Sequence, residues 1–194
     1  MALALYITHP QIRLDPAIPI PSWGLSDIGR ARAGLAASRP WAKSIGRIIS
    51  SDETKAVETA EFFAKSAGID FEVVEGMGEN DRSSTGFLPP NAFEQAADWF
   101  FAHPEESFKG WERACDAQSR IIAAVEGVLA KHDPNVPIAF VGHGGVGTLL
   151  KCHLAGRPIS RDEDQPAGGG NLIAFDLAER RLTCDWTRME DWKG

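Results

Sequence analysis

Residues 137–150, PIAFVGHGGVGTLL, decide the fold. Pro137 to Val141 is a short, unbroken apolar run, as expected of a strand buried on both faces. Gly144 to Leu154 reads as a helix, and His143, Gly144 and Gly145 stand at the junction. In an open α/β sheet, ligands bind outside the carboxyl ends of the parallel strands. A helix N-terminus there offers free N–H groups and partial positive charge, which suits a phosphate. Glycines let that backbone come close to a ligand.

The same layout recurs upstream. Leu3 to Thr8 is a second compact apolar run, and it ends in Thr8-His9-Pro10. Prolines 10, 16, 19 and 21 then exclude helix. Ser26 is a candidate N-cap for a helix with Ile28, Ala31 and Leu35 on its inner face. Ile45 to Ile49 is a further strand, followed by Ser50 and Glu53 at capping-box spacing and a helix bearing Ala56, Ala60, Phe63 and Ala67. Phe71 to Val74 is a short strand, and Glu75 to Pro90 loses periodicity and predicts a long loop. Loops of that length are more often functional than idle. Helices are expected at Asn91 to Phe101 and Trp111 to Lys131, where Trp99, Phe100, Phe101 and Trp111 are candidates for an apolar wall or, more simply, for core. A hairpin, Asn171 to Leu177 with Arg181 to Met189, closes the chain.

Alternation of strand and helix up to residue 154 predicts an α/β fold. The expected form is a three-layer α/β/α sandwich, with a mainly parallel sheet and a C-terminal antiparallel hairpin. The length of 194 residues suits one domain spanning 1–194, with residues 75–131 as a loop and helical insertion over the site. A net charge of −7 argues against nucleic-acid or anionic-membrane partners, so any anion must be held by a local cluster of positive groups. No apolar run approaches the roughly 20 residues that span a bilayer. Three scattered cysteines (Cys115, Cys152, Cys184) read as small hydrophobes in a reducing compartment, and the expected location is the cytoplasm.

His9 and His143 thus stand at the ends of two buried strands. A neutral imidazole is a nucleophile towards phosphorus, and a protonated one stabilises the charge that builds there. His103 and His132 fall at helix C-termini, where a cation suits the dipole, and His153 lies on a helix without metal spacing. Gly142-x-Gly144-x-x-Gly147 matches the dinucleotide fingerprint, but that motif wants an acid roughly 20 residues on, at the end of a parallel strand. The next candidate, Asp176, lies well beyond, on a hairpin arm.

Five segments in order then resemble the histidine phosphatase superfamily, of the phosphoglycerate mutase-like fold. Leu3 to Pro10 resembles its first strand with the Arg-His-Gly motif, His9 holding the histidine position. Leu25 to Ala33 resembles its Leu-Thr-x-x-Gly-x-x-Gln-Ala helix start. Ser50-Ser51 with Ala56 and Glu58-Thr59-Ala60 resembles its Ser-Ser-Pro-x-x-Arg-Ala-x-Gln-Thr-Ala segment. Glu79 falls in the loop that carries its acidic proton donor, with Glu75 and Asp81 as alternatives, and Val141 to Gly145 resembles its second histidine segment.

The resemblance implies a metal-independent phosphomonoesterase without a cofactor, acting on a small phosphorylated substrate and also able to hold inorganic phosphate. His9 would carry the phosphoryl group, Glu79 would protonate the leaving oxygen, and His143 with the Gly144 backbone would stabilise the equatorial oxygens. Thr8, however, replaces the motif's arginine, Pro10 its glycine, and Lys55 the second arginine. Arginine presents a planar fork matched to phosphate, whereas lysine is a point charge and threonine is uncharged. Arg13, four residues beyond His9, is a candidate substitute beside Thr8 and Lys55 in the phosphate cradle. Restoring Thr8→Arg with Pro10→Gly is expected to raise a weak activity if the cradle is what limits it. The alternative is a phosphate-binding or regulatory module of the same fold with impaired catalysis.

Overall fold

A computed structural model describes residues 2–194. Six strands form one sheet in the order β3-β2-β4-β1-β5-β6: β1 (Leu3–Thr8), β2 (Arg47–Ser50), β3 (Phe71–Val73), β4 (Ile138–Gly142), β5 (Asn171–Asp176) and β6 (Leu182–Arg188). The first four are mutually parallel, β5 runs antiparallel to β1, and β6 is antiparallel to β5. The alternation of side chains sorts the core into two layers. Ala4 and Tyr6 of β1 join Phe140, Ile173 and Phe175 beneath α4 (Pro90–Ala102), α5 (Ala114–Leu129) and α6 (Gly144–Leu154). Leu5 and Ile7 join Ile48, Ala139, Val141 and Leu172 beneath α1 (Asp27–Ala37), α2 (Pro40–Lys43) and α3 (Thr54–Ala67). This is the expected three-layer α/β/α sandwich with a mainly parallel sheet and a C-terminal hairpin.

Two local expectations are corrected. Helix α1 does not turn Ile28, Ala31 and Leu35 inward: Ile28 is 64% and Leu35 49% exposed, and Ala31 is exposed too. Ala33, Ala36 and Ala37 enter the core layer instead, and Gly29 lies against the Gln11 backbone, because small residues let the helix pack closely. Ser50 and Glu53 form no capping box. Glu53 is itself the N-cap of α3 without a side-chain cap bond, and the Ser50 hydroxyl donates to the Ser51 carbonyl. Glu53's carboxylate goes into the site described below. On β6, Leu182 and Trp186 pack into one layer while Cys184 packs into the other, since register shifts interrupt its pairing with β5. Asp176 lies on a strand antiparallel to β1, which removes the dinucleotide geometry. Among the described residues no helix is long and apolar enough to cross a membrane.

Candidate active site

Thr8 of β1 pairs with Gly142 of β4, so His9 and His143 leave adjacent strands at the same level. The His9 N–H donates to the Gly142 carbonyl (3.0 Å), and the two imidazoles lie 5.3 Å apart between centroids, inclined by 68°. His9 Nδ1 sits 2.9 Å from the Pro10 carbonyl. A carbonyl only accepts, so Nδ1 carries the proton and Nε2 keeps its lone pair. Burial, then the neighbouring His143, pushes the His9 pKa down to about 3, which leaves the ring neutral.

His143 is fully buried as the N-cap of α6. Its backbone is clamped by Tyr6, whose hydroxyl donates to the His143 carbonyl (3.2 Å) and accepts from its N–H (3.1 Å). That clamp needs Gly147, because a Cβ there would stand 2.5 Å from the Tyr6 ring. The His143 Nε2 lies 2.8 Å from Ser51 Oγ and 3.5 Å from Glu53 Oε1, while Nδ1 is buried without a partner. Burial lowers the His143 pKa, while the carboxylates of Glu53 and Glu79 oppose that shift.

Glu79 lies against the start of α6, accepting from the Gly145 and Val146 N–H groups, both at 3.0 Å. Burial alone would raise its pKa, but the charges of Arg82 and His143 and the bond from Gly145 hold it below the usual range. The alternatives for the acid are placed differently. Glu75 is exposed, and Asp81, also exposed, accepts from the Ser83 N–H at 2.8 Å.

The candidate cradle residues separate. Gly144 lines the cleft beside Gly145. Lys55 also lines it, but is buried with its ammonium paired to Glu53 and donating to the Ile20 carbonyl (3.1 Å). Burial would raise the Glu53 pKa, yet His143, Lys55 and the Glu79 N–H bring it down to about 2. Thr8 is fully buried, its hydroxyl spent on Gln165 Oε1 (2.7 Å) and the Asn171 backbone. Arg13 is exposed, whereas Ile12 and Leu14 on either side of it line the cleft.

The cleft holds about 510 Å³. Its floor is His9, Glu79 and Gly144, and its walls include Trp23, Phe87, Phe93 and Trp111. Phe100, Phe101 and Trp111 belong to the core and to the wall at once, but Trp99 does not line the cleft. His103 and His132 are bonded to the carbonyls of Trp99 and Val136, away from the cleft. Among the described residues no cluster of three or more His, Cys, Asp or Glu side chains is placed to hold a metal ion. Sequence reasoning missed Glu53 and Arg82. For Glu53 the signal was its position two residues from Lys55; for Arg82, only its place in the aperiodic loop.

Residues 18–188 match the histidine phosphatase superfamily (branch 1). The chain belongs to that superfamily. Its match begins downstream of His9, so the Thr8-His9-Pro10 motif lies outside the matched stretch. Solved structures of similar fold include YhfR of Bacillus stearothermophilus, 20% identical with a TM-score of 0.81, over 97% of this chain and 100% of that one. A mycobacterial glucosyl-3-phosphoglycerate phosphatase in complex with inorganic phosphate is also 20% identical, TM-score 0.76, over 100% of this chain and 98% of its own. A structure named mycobacterial hydrolase 1 is 19% identical, TM-score 0.78, over 100% and 99%. No curated protein matches the chain.

Proposed function

We propose that this member of the superfamily is a phosphoryl-transfer enzyme, a metal-independent phosphomonoesterase that acts through a phosphohistidine on His9. The observation that carries the reading is the pair of imidazoles 5.3 Å apart at the mouth of adjacent strands. His9 is oriented by the Pro10 carbonyl, so that Nε2 is free to attack. That nitrogen forms a bond to phosphorus as the ester P–O bond breaks, and the leaving oxygen takes a proton from Glu79. Water then attacks phosphorus, the N–P bond breaks, and Glu79 recovers a proton from that water. Glu79 is ionised in the free site. A phosphate dianion bound beside it raises its proton affinity, so substrate binding itself favours the acid form. His143 meets the equatorial oxygens; burial disfavours its charged form in the free site, and the bound dianion together with Glu53, facing its Nε2, favours the imidazolium.

The rival reading, a phosphate-binding or regulatory module of the same fold, has support in the two cradle positions. Thr8 is spent inside the fold and Lys55 is neutralised by Glu53. The relative solved with inorganic phosphate favours a small phosphorylated ligand under either reading.

Hydrolysis of a panel of small phosphate esters by wild type and His9→Ala tests the proposal. Turnover by the wild type alone, with an acid-labile phosphoryl group trapped on it, is the expected result. Equal rates in the two proteins would remove His9 as the nucleophile. Orthophosphate or vanadate binding without turnover would favour the binding module.

A further inference from the structure

We propose that Arg82 is the guanidinium that grips the substrate's phosphoryl oxygens, supplying the fork of donors that Thr8 and Lys55 do not offer. This assignment rests on the phosphate-site reading above. Three cations line the cleft: Lys55, Arg82 and Arg161. Lys55 is committed to Glu53. Arg161 is committed to Glu94 (2.5 Å) and Asp164 (3.3 Å). Arg120, behind Glu79, is spent on Glu112 and on the carbonyls of Gly76, Gly78 and Glu79. Arg82 differs. Among the described residues it has neither an ion pair nor a side-chain hydrogen bond, in a chain where 27 acids face 20 lysines and arginines.

It is nevertheless held in place. The guanidinium carbon lies 5.0 Å from the centre of the Phe93 ring and 5.8 Å from that of Trp111. Trp111 is fixed by its indole N–H, which donates to Thr85 Oγ1 at 2.8 Å. The Arg82 carbonyl accepts from the Thr85 and Gly86 N–H groups (3.2 and 3.1 Å), which folds the segment into a turn. A guanidinium lying on aromatic faces is restrained while its N–H fork stays available. Arg82 is half-buried, and it borders both the main cleft and the adjoining hollow walled by Ile20, Glu53 and Glu79. Its positive charge is felt at Glu79 and at His143, so it sits within electrostatic reach of the groups that would surround the anion. A partly exposed guanidinium without a carboxylate keeps its donors open to an incoming anion, and a phosphoryl group with two oxygens is the bidentate match.

The test compares wild type, Arg82→Gln, Arg82→Lys, Arg82→Ala and the surface control Arg113→Gln. Orthophosphate and orthovanadate binding is measured by calorimetry, together with kcat and KM on an aryl phosphate. Arg82→Gln should weaken orthophosphate binding about tenfold or more, with Arg82→Lys in between. Added guanidinium ion should restore part of the binding lost by Arg82→Ala, a rescue that a merely structural role would not show. Wild-type affinity in a folded Arg82→Gln, or no rescue together with full affinity in Arg82→Lys, would overturn the assignment while leaving the phosphatase reading intact. A wild type that binds neither anion would remove both.

Discussion

The His9 and His143 rings stand 5.3 Å apart, edge to face, because Thr8 and Gly142 are partners in the β1–β4 ladder. Two residues more than 130 positions apart are thereby set on one rim by a backbone register alone. A one-residue slip in that register would turn one imidazole to the opposite side of the sheet.

The carboxylate that faces the His143 ring nitrogen is not the one the sequence singled out. Glu53 neutralises Lys55, with side chains 11% and 3% exposed, and also faces His143. Glu53→Gln leaves a buried ammonium without its counter-charge, so stability should fall by about 3 kcal/mol. The uncompensated cation should also strengthen anion binding. Thermal unfolding with and without orthophosphate checks both: a lower Tm, and a larger orthophosphate-induced rise than in wild type. An unchanged Tm, or a smaller rise, counts against the ion pair as the feature that silences Lys55.

Tyr6 clamps His143 through its backbone. Tyr6→Phe leaves a buried N–H of His143 unpaired and should cost about 1–3 kcal/mol. Gly147→Ala should destabilise by a comparable, roughly 1–3 kcal/mol step, since the added methyl would overlap the Tyr6 ring. Denaturant titration of both variants tests the clamp, and a midpoint like that of wild type in either case would argue against it.

The pH dependence of stability follows from His9. Its pKa in the fold is about 3, and in the unfolded chain it returns to about 6.5. Between those values the unfolded state binds more protons, so stability contributed by the neutral ring is complete above the unfolded pKa and drains away as pH falls. His143 is shifted in the same direction. Glu53, held down to about 2, adds acid lability as pH falls from the ordinary carboxylate value of 4.5 towards 2. Unfolding measured between about pH 5 and 6.5 therefore isolates the histidines. His9→Asn should flatten the curve there, and a slope equal to that of wild type would contradict the burial of a neutral ring.

Thr8→Arg, with or without Pro10→Gly, is the substitution that family comparison suggests for raising activity. The enclosure of Thr8 predicts the opposite outcome. Thr8 is fully enclosed, and its hydroxyl joins β1 to Gln165 and Asn171. An arginine must displace those partners, with an expected loss of about 3 kcal/mol and a Tm lower by roughly 6–12 °C. Calorimetry with an ester-hydrolysis assay decides: a variant as stable as wild type and more active would show that the cavity opens to admit the longer side chain.

Local pattern and chain order were enough to predict the sheet, its two covered faces, the closing hairpin and the two strand-end histidines. An apolar run such as Pro137 to Val141 encodes burial on both sides, and a glycine-flanked histidine after it encodes a turn at the sheet's edge. What the tertiary structure decided concerns charges and orientations set by distant partners. Whether α1 shows the sheet its alanines or its larger residues depends on how closely that helix approaches. Lys55 reads as a free cation until Glu53 is seen against it, and Arg13 and Arg82 look alike in sequence until one is found on the surface and the other over two rings in the cleft. Periodicity reports which residues leave water, because burial is written in apolar spacing. Which charge meets which is fixed only when loops from separate parts of the chain are brought together.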